Sequence, residues 1–201
     1  MQTKKIGERH TLLFYRRSMT RMFWTTLILG GILMAAGSFS LLKPIPILGI
    51  PSEVWLFAAG LLALAISAFA FVARYMAYVQ PRESYLKVVT PFLRFNVSYR
   101  RIQSIRPSLL QQIFPPEQSS WSQRSYLEAF YGKTAIVVDM KGFPADPKML
   151  KLFLPGPMFS PRSTGLVLVV PEWIKLSTEL DSFLGSWQAT QGRQARAARS
   201  R

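Results

Sequence analysis

The chain has 201 residues, 49% of them apolar and only 17% charged, and its 25 Lys and Arg against 10 Asp and Glu give a formal charge of +15. It has no cysteine, which excludes disulfides, thiolate metal ligands and Cys nucleophiles. So few charges with so basic a balance require the apolar residues to be concentrated in particular segments, and what is left outside them suffices for one compact domain but not two.

Residues 1–21 form a basic leader carrying Lys4, Lys5, Arg9, Arg16, Arg17 and Arg21 against Glu8 alone. The run from Met22 to Leu42 then contains no charged residue, and neither does Val54 to Ala73. At about 1.5 Å per residue, each is long enough as a helix to cross a hydrocarbon core of roughly 30 Å. We read residues 22–78 as a transmembrane helical hairpin, with spans at about 22–42 and 54–76. A cleaved signal peptide fits the first run poorly, because signal cores are shorter and a second span follows.

The segment between the spans, 43–53, holds three prolines and a glycine that break helix on both sides, and its Lys43 and Glu53 cancel. Cations flank the other ends of both spans, so the positive-inside rule puts both termini on the cytoplasmic side. Trp24, Trp55, Tyr75 and Tyr78 suit interfacial anchoring. Ala59, Ala63 and Ser67, with Gly31 and Ala35, recur every four residues and suit a face where two helices touch. No ionisable side chain lies inside either span, which argues against an ion pathway or proton relay there.

Beyond Pro81 the period changes from helical to alternating. In 92–99 Leu93, Phe95, Val97 and Tyr99 alternate with polar neighbours, the signature of a half-buried antiparallel strand. The runs 85–90, 101–108, 134–140, 149–154 and 164–170 also read as strands, 109–114 as a short helix or turn, and the polar stretch 117–125 as a mobile loop. From Glu172, residues Trp173, Leu176, Leu180, Phe183, Leu184 and Trp187 fall on one helical face. The expected architecture is an α+β membrane protein whose helical hairpin precedes a small β-barrel or sandwich at 83–188, capped by a C-terminal α-helix. Residues 189–201, basic and without apolar period, read as a disordered tail.

The stretch YRRIQSIRPSLLQQIF, residues 99–114, following two membrane helices, resembles the bacterial pleckstrin-homology-like, membrane-flanked proteins. In that family a strand with an Ile-Gln-Ser-Ile/Val core leads into a Leu-Leu-Gln-hydrophobic-Phe turn. This chain departs from the pattern after Phe114, where Pro115-Pro116 and a polar insert replace a Gly-containing turn. The resemblance implies a pleckstrin-homology-like fold over 83–188 and membrane association, and it implies no reaction.

Catalytic patterns are absent. His10 is the only histidine and sits in the basic leader, Glu179 and Asp181 do not share a helical face, and no phosphate-loop, zinc-protease or nucleophile-elbow motif is present. The expectation is a non-enzyme without cofactor or metal. Arg16, Arg17, Arg21, Arg74, Arg82, Lys87 and Arg94 are candidates for contact with anionic lipid, although the same cations are needed to orient the hairpin. Pleckstrin-homology domains that bind phosphoinositides use a Lys followed by Lys/Arg-x-Arg on the next strand; Lys87 and Arg94 match, and Asn96 does not. The tail arginines Arg193, Arg196, Arg199 and Arg201 have no aromatic neighbour for base stacking, so no specific nucleic-acid partner is expected. Trp121, in a polar stretch, is a candidate protein contact. A groove beside the C-terminal helix, framed by loops 115–125 and 155–165, would take a peptide. The sequence therefore reads as a membrane-anchored binding or scaffold module, integral to the bilayer, that binds a protein partner, a second copy of itself or the membrane surface. The alternatives are a lipid- or small-ligand-handling membrane protein and an accessory subunit of a membrane complex.

Overall fold

The computed structural model describes residues 6–41, 46–47 and 50–199, with side chains described at 6–41 and 53–193. The chain divides into two compact units, residues 16–76 and residues 1–15 with 77–201.

The first unit is a pair of helices, α1 (Leu13–Ser40, which begins in the second unit) and α2 (Ser52–Ala73). Both are long and apolar enough to cross a membrane. Between them the backbone forms a small antiparallel pair, β2 (Pro46–Ile47) with β3 (Ile50–Pro51). The buried face of α2 is a stripe of small residues, Gly60, Ala63, Ser67, Ala70 and Ala73, while Leu61, Leu62, Phe69 and Val72 point outward. A Cβ built on Gly30 would lie 3.0 Å from the Leu64 side chain and 3.2 Å from the Gly60 carbonyl oxygen, so two glycines bring the helix backbones together. The Ser67 hydroxyl donates to the Phe23 carbonyl across the pair at 3.1 Å. The expected contact face holds for Ala63 and Ser67 and fails for Ala59, Gly31 and Ala35, which are exposed. Spacing by four finds a helical row but does not say which of two adjacent rows faces the partner.

The second unit contains two antiparallel sheets. One has the order β1 (His10–Thr11), β4 (Tyr78–Pro81), β5 (Tyr85–Val89), β6 (Arg94–Ser98). The other has the order β7 (Ile102–Leu109), β8 (Thr134–Met140), β9 (Gly165–Leu168). A single 3-10 turn, Tyr99–Arg101, carries the chain from one sheet to the other. The alternation read in β6 is present, with Phe95, Val97 and Tyr99 buried and Arg94 and Asn96 exposed. Strand β8 is buried along nearly its whole length, as a central strand requires. Helix α6 (Trp173–Arg199) packs on β4 of the first sheet and on β7 and β8 of the second through Leu176 and Leu180, both fully buried.

Four expectations change. Residues 149–154 form helix α5 (Pro147–Phe153) and not a strand. Pro147 opens the helix, the Asp146 carboxylate accepts from the Lys148 N–H at 2.9 Å, and the run is Leu- and Met-rich without β-branching. Within the stretch expected as a loop, helix α4 (Trp121–Leu127) begins where the Ser120 hydroxyl accepts from the Gln123 N–H, and the short helix α3 (Leu110–Ile113) precedes it. Helix α6 continues to Arg199, through the segment expected to be a disordered tail. The leader is not a separate segment: Ile6 bridges Arg82, and β1 is the edge strand of the first sheet.

Candidate functional site

A groove of about 720 Å³ opens beside α6 in the second unit. Its helical wall is two adjacent rows: Thr178, Ser182, Ser186 and Thr190, and next to them Glu179, Phe183, Trp187 and Gln191. Both rows repeat every four residues and so lie along one side of the helix. The opposite wall is the N-terminal segment at Ile6 and Gly7 with the β4–β5 turn at Glu83 and Ser84. Three of the hydroxyls are anchored to their own helix: Thr178 donates to the Ile174 carbonyl at 2.9 Å, Ser186 to Ser182 at 2.8 Å and Thr190 to Ser186 at 2.9 Å. Such back-bonding commits the hydroxyl proton and leaves each oxygen able to serve as an acceptor.

One end of the groove is fixed by charge. Glu179 Oε2 accepts from the Glu8 backbone N–H at 3.2 Å and lies 3.3 Å from His10 Nε2. His10 is buried at 5% exposure, so its ring is held inside the unit and not in a solvated leader. Lys175 Nζ pairs with Glu8 Oε2 at 2.6 Å and with Glu172 at 3.7 Å. The hydrogen bond from Lys175 holds the Glu8 carboxyl below its usual range, and the same bond raises the Lys175 ammonium. Gly7 permits the close approach: a Cβ there would meet Glu179 Oε2 at 2.8 Å and the Pro81 carbonyl oxygen at 3.0 Å. Sequence spacing has no means of pairing His10 with a carboxylate 169 positions away. The period of α6 did place Phe183 and Trp187 on its apolar face, and both are half-buried along the groove. The loops expected to frame a peptide groove, 115–125 and 155–165, do not line it.

A second polar cluster is fully occupied. Asp139 on β8 is buried, accepting from Ser104 at 2.7 Å, from Arg106 at 2.6 and 3.1 Å and from Ser163 at 2.5 Å. Burial pushes its carboxyl up, and the bonds from Ser163, Ser104 and Arg106 outweigh this and hold it below the ordinary range. With every partner committed, it ties β7, β8 and the Ser160–Ser163 turn together. Among the described residues no group of three or more His, Asp or Glu is placed to hold a metal ion.

The expected lipid-contact residues fall in both units. Arg16, Arg17 and Arg21 are exposed on α1. Arg74, at the end of α2, lies 4.0 Å from the centre of the Phe71 ring and 4.7 Å from that of Tyr75, and it donates to the Tyr75 hydroxyl at 2.7 Å. In the second unit Arg82 sits at the β4–β5 turn, where its N–H bonds the Tyr85 carbonyl at 3.0 Å. Lys87 is paired with Asn96, and Arg94, two residues before Asn96, projects from the same sheet face. Trp121 is 85% exposed at the start of α4 and is not part of the groove. Arg193 is exposed on α6, while the side chains of Arg196, Arg199 and Arg201 lie outside the described residues. No protein-family model, curated protein or solved structure matches the chain.

Proposed function

We propose that the protein is a membrane-anchored, non-catalytic binding module: the two apolar helices span a bilayer, and a pleckstrin-homology-like domain on the cytoplasmic side holds a segment of a protein partner in the groove beside α6. The carrying observation is the groove itself. Phe183 and Trp187 offer aromatic surface, Glu83 and Glu179 offer carboxylates, and the Thr178–Ser182–Ser186–Thr190 row offers acceptors. That combination suits an extended segment with a cation and an apolar side chain. Cations flanking the outer ends of both apolar helices support the orientation.

Photo-crosslinking in native membranes tests this reading. A benzophenone residue at Ser186 is expected to give a discrete protein adduct that Trp187→Ala reduces about tenfold or more, the effect of removing an aromatic anchor. The same probe at exposed Ile174 is expected to give none. Equal adducts at the two positions would contradict it. The groove's volume also falls within the range of small-molecule sites, which favours the second reading, a small-ligand or lipid-handling protein. Native mass spectrometry of the purified full-length chain would then show a bound species of constant mass that Trp187→Ala removes.

A further inference from the structure

We propose that α5 and Phe92 form a second membrane-contact surface, one that rests on an anionic lipid leaflet. Helix α5 buries Leu150, with Leu154 just past its end, and this leaves Met149 and Leu152 turned outward at 53% and 76% exposure. Phe92, 52% exposed in the β5–β6 turn, stacks on Phe153 with ring centres 6.3 Å apart and planes at 30°. Of the six large apolar side chains exposed among the described residues of this unit, Met149 and Leu152 stand three residues apart on α5 and Phe92 is stacked on that helix at Phe153; Ile6, Trp121 and Ile174 lie elsewhere along the chain.

The patch has a charge as well as an apolar face. Lys148 and Lys151 are exposed on the same short helix, and Lys148 stands one turn before Leu152, so the outward apolar side chains share their helix with two ammonium groups. From Lys141 to Arg162 the chain carries four cations and one acid, Asp146, whose Oδ1 is engaged by the Lys148 N–H at the helix start. Apolar side chains at the acyl boundary with lysines reaching back to the head groups are how interfacial helices bind acidic lipid. The outward apolar side chains of the patch are Met, Leu and Phe, without a Trp or Tyr of the kind that anchors protein interfaces. A seven-residue helix and one phenylalanine would bind a free bilayer weakly. Here only residues 74–77 connect α2 to β4, so an anchored helix pair holds the leaflet at high effective concentration. The proposal rests on the anchored reading and is independent of the α6 groove.

The absence of cysteine makes a clean test available. Leu152→Cys in the full-length chain, labelled with bimane and reconstituted into vesicles of phosphatidylcholine with phosphatidylglycerol, is compared with labelled Ile174→Cys. Acyl-chain spin-labelled lipid is expected to quench the Leu152→Cys label about threefold more than the Ile174→Cys label, and the excess should vanish with Lys148→Glu plus Lys151→Glu or in phosphatidylcholine alone. Equal quenching at the two sites overturns the proposal. So does quenching indifferent to charge, and so does a label shielded from aqueous iodide but not quenched by lipid, which would indicate a protein or a second copy. Failure of the chain to float with vesicles after an alkaline wash would defeat the anchoring itself, and the proposal with it.

Discussion

At the residue scale the most consequential side chain is Asp139, a carboxylate kept ionised inside the β unit by two serines and an arginine. Its folded pKa is depressed, so the stability it contributes is fully present above the unfolded carboxylate value of about 4 and is lost as the pH falls below it. Asp139→Asn is expected to cost about 1–3 kcal/mol at neutral pH, because Arg106, Ser104 and Ser163 all lose a charged acceptor. It should also flatten the loss of stability on acidification below about pH 4, measured by denaturant titration of the detergent-solubilised protein. An unchanged acid limb would show that the cluster is not what acid attacks. Neither this cluster nor the contact between His10 and Glu179 was legible in the sequence, since both join residues far apart in the chain with no motif spacing. A basic leader is read as solvated by default, and only β1 pairing with β4 reveals that His10 is interior.

At the element scale, strands with strict alternation were readable because one buried face imposes a two-residue period. Residues 93–99 are the clear case, whereas 134–140, buried on both faces, was readable as a short β-branched apolar run. Helix α5 was not readable from period, since a seven-residue helix with outward Met149 and Leu152 has the same apolar density as a buried strand. Its capping residues, Asp146 and Pro147, were the available signal. In the helix pair the two adjacent glycines of α1 make the row assignment testable. Gly30→Leu should destabilise the pair by about 1–3 kcal/mol through overpacking against Leu64 and Gly60, read as a lower melting temperature or faster proteolysis in detergent. Gly31→Leu, where an added Cβ meets nothing within 4 Å, should leave it nearly unchanged. Equal effects would mean that the helices pack on the other row.

At the scale of the whole molecule, composition carried the argument. The excess of basic residues sits beside the apolar blocks and at the two termini, and the two helices those blocks form are long and apolar enough to cross a membrane. The groove beside α6 was only half legible: the helical period named its aromatic residues, but the period is identical for a core stripe and for a groove wall. What separates them is where the sheets stop, since α6 is buried at Leu176 and Leu180 and then runs on past them.

The central claim is that residues 22–42 and 54–76 lie in a bilayer, with the connecting segment 43–53 outside and both flanking parts of the chain on the cytoplasmic side. Single cysteines in the otherwise cysteine-free chain address it directly, using a membrane-impermeant maleimide on intact cells. The account predicts that Ser52→Cys, between the spans, is labelled from outside, and that Ser200→Cys is labelled only after the membrane is opened. Labelling of Ser200→Cys in intact cells, or protection of Ser52→Cys until permeabilisation, would contradict it.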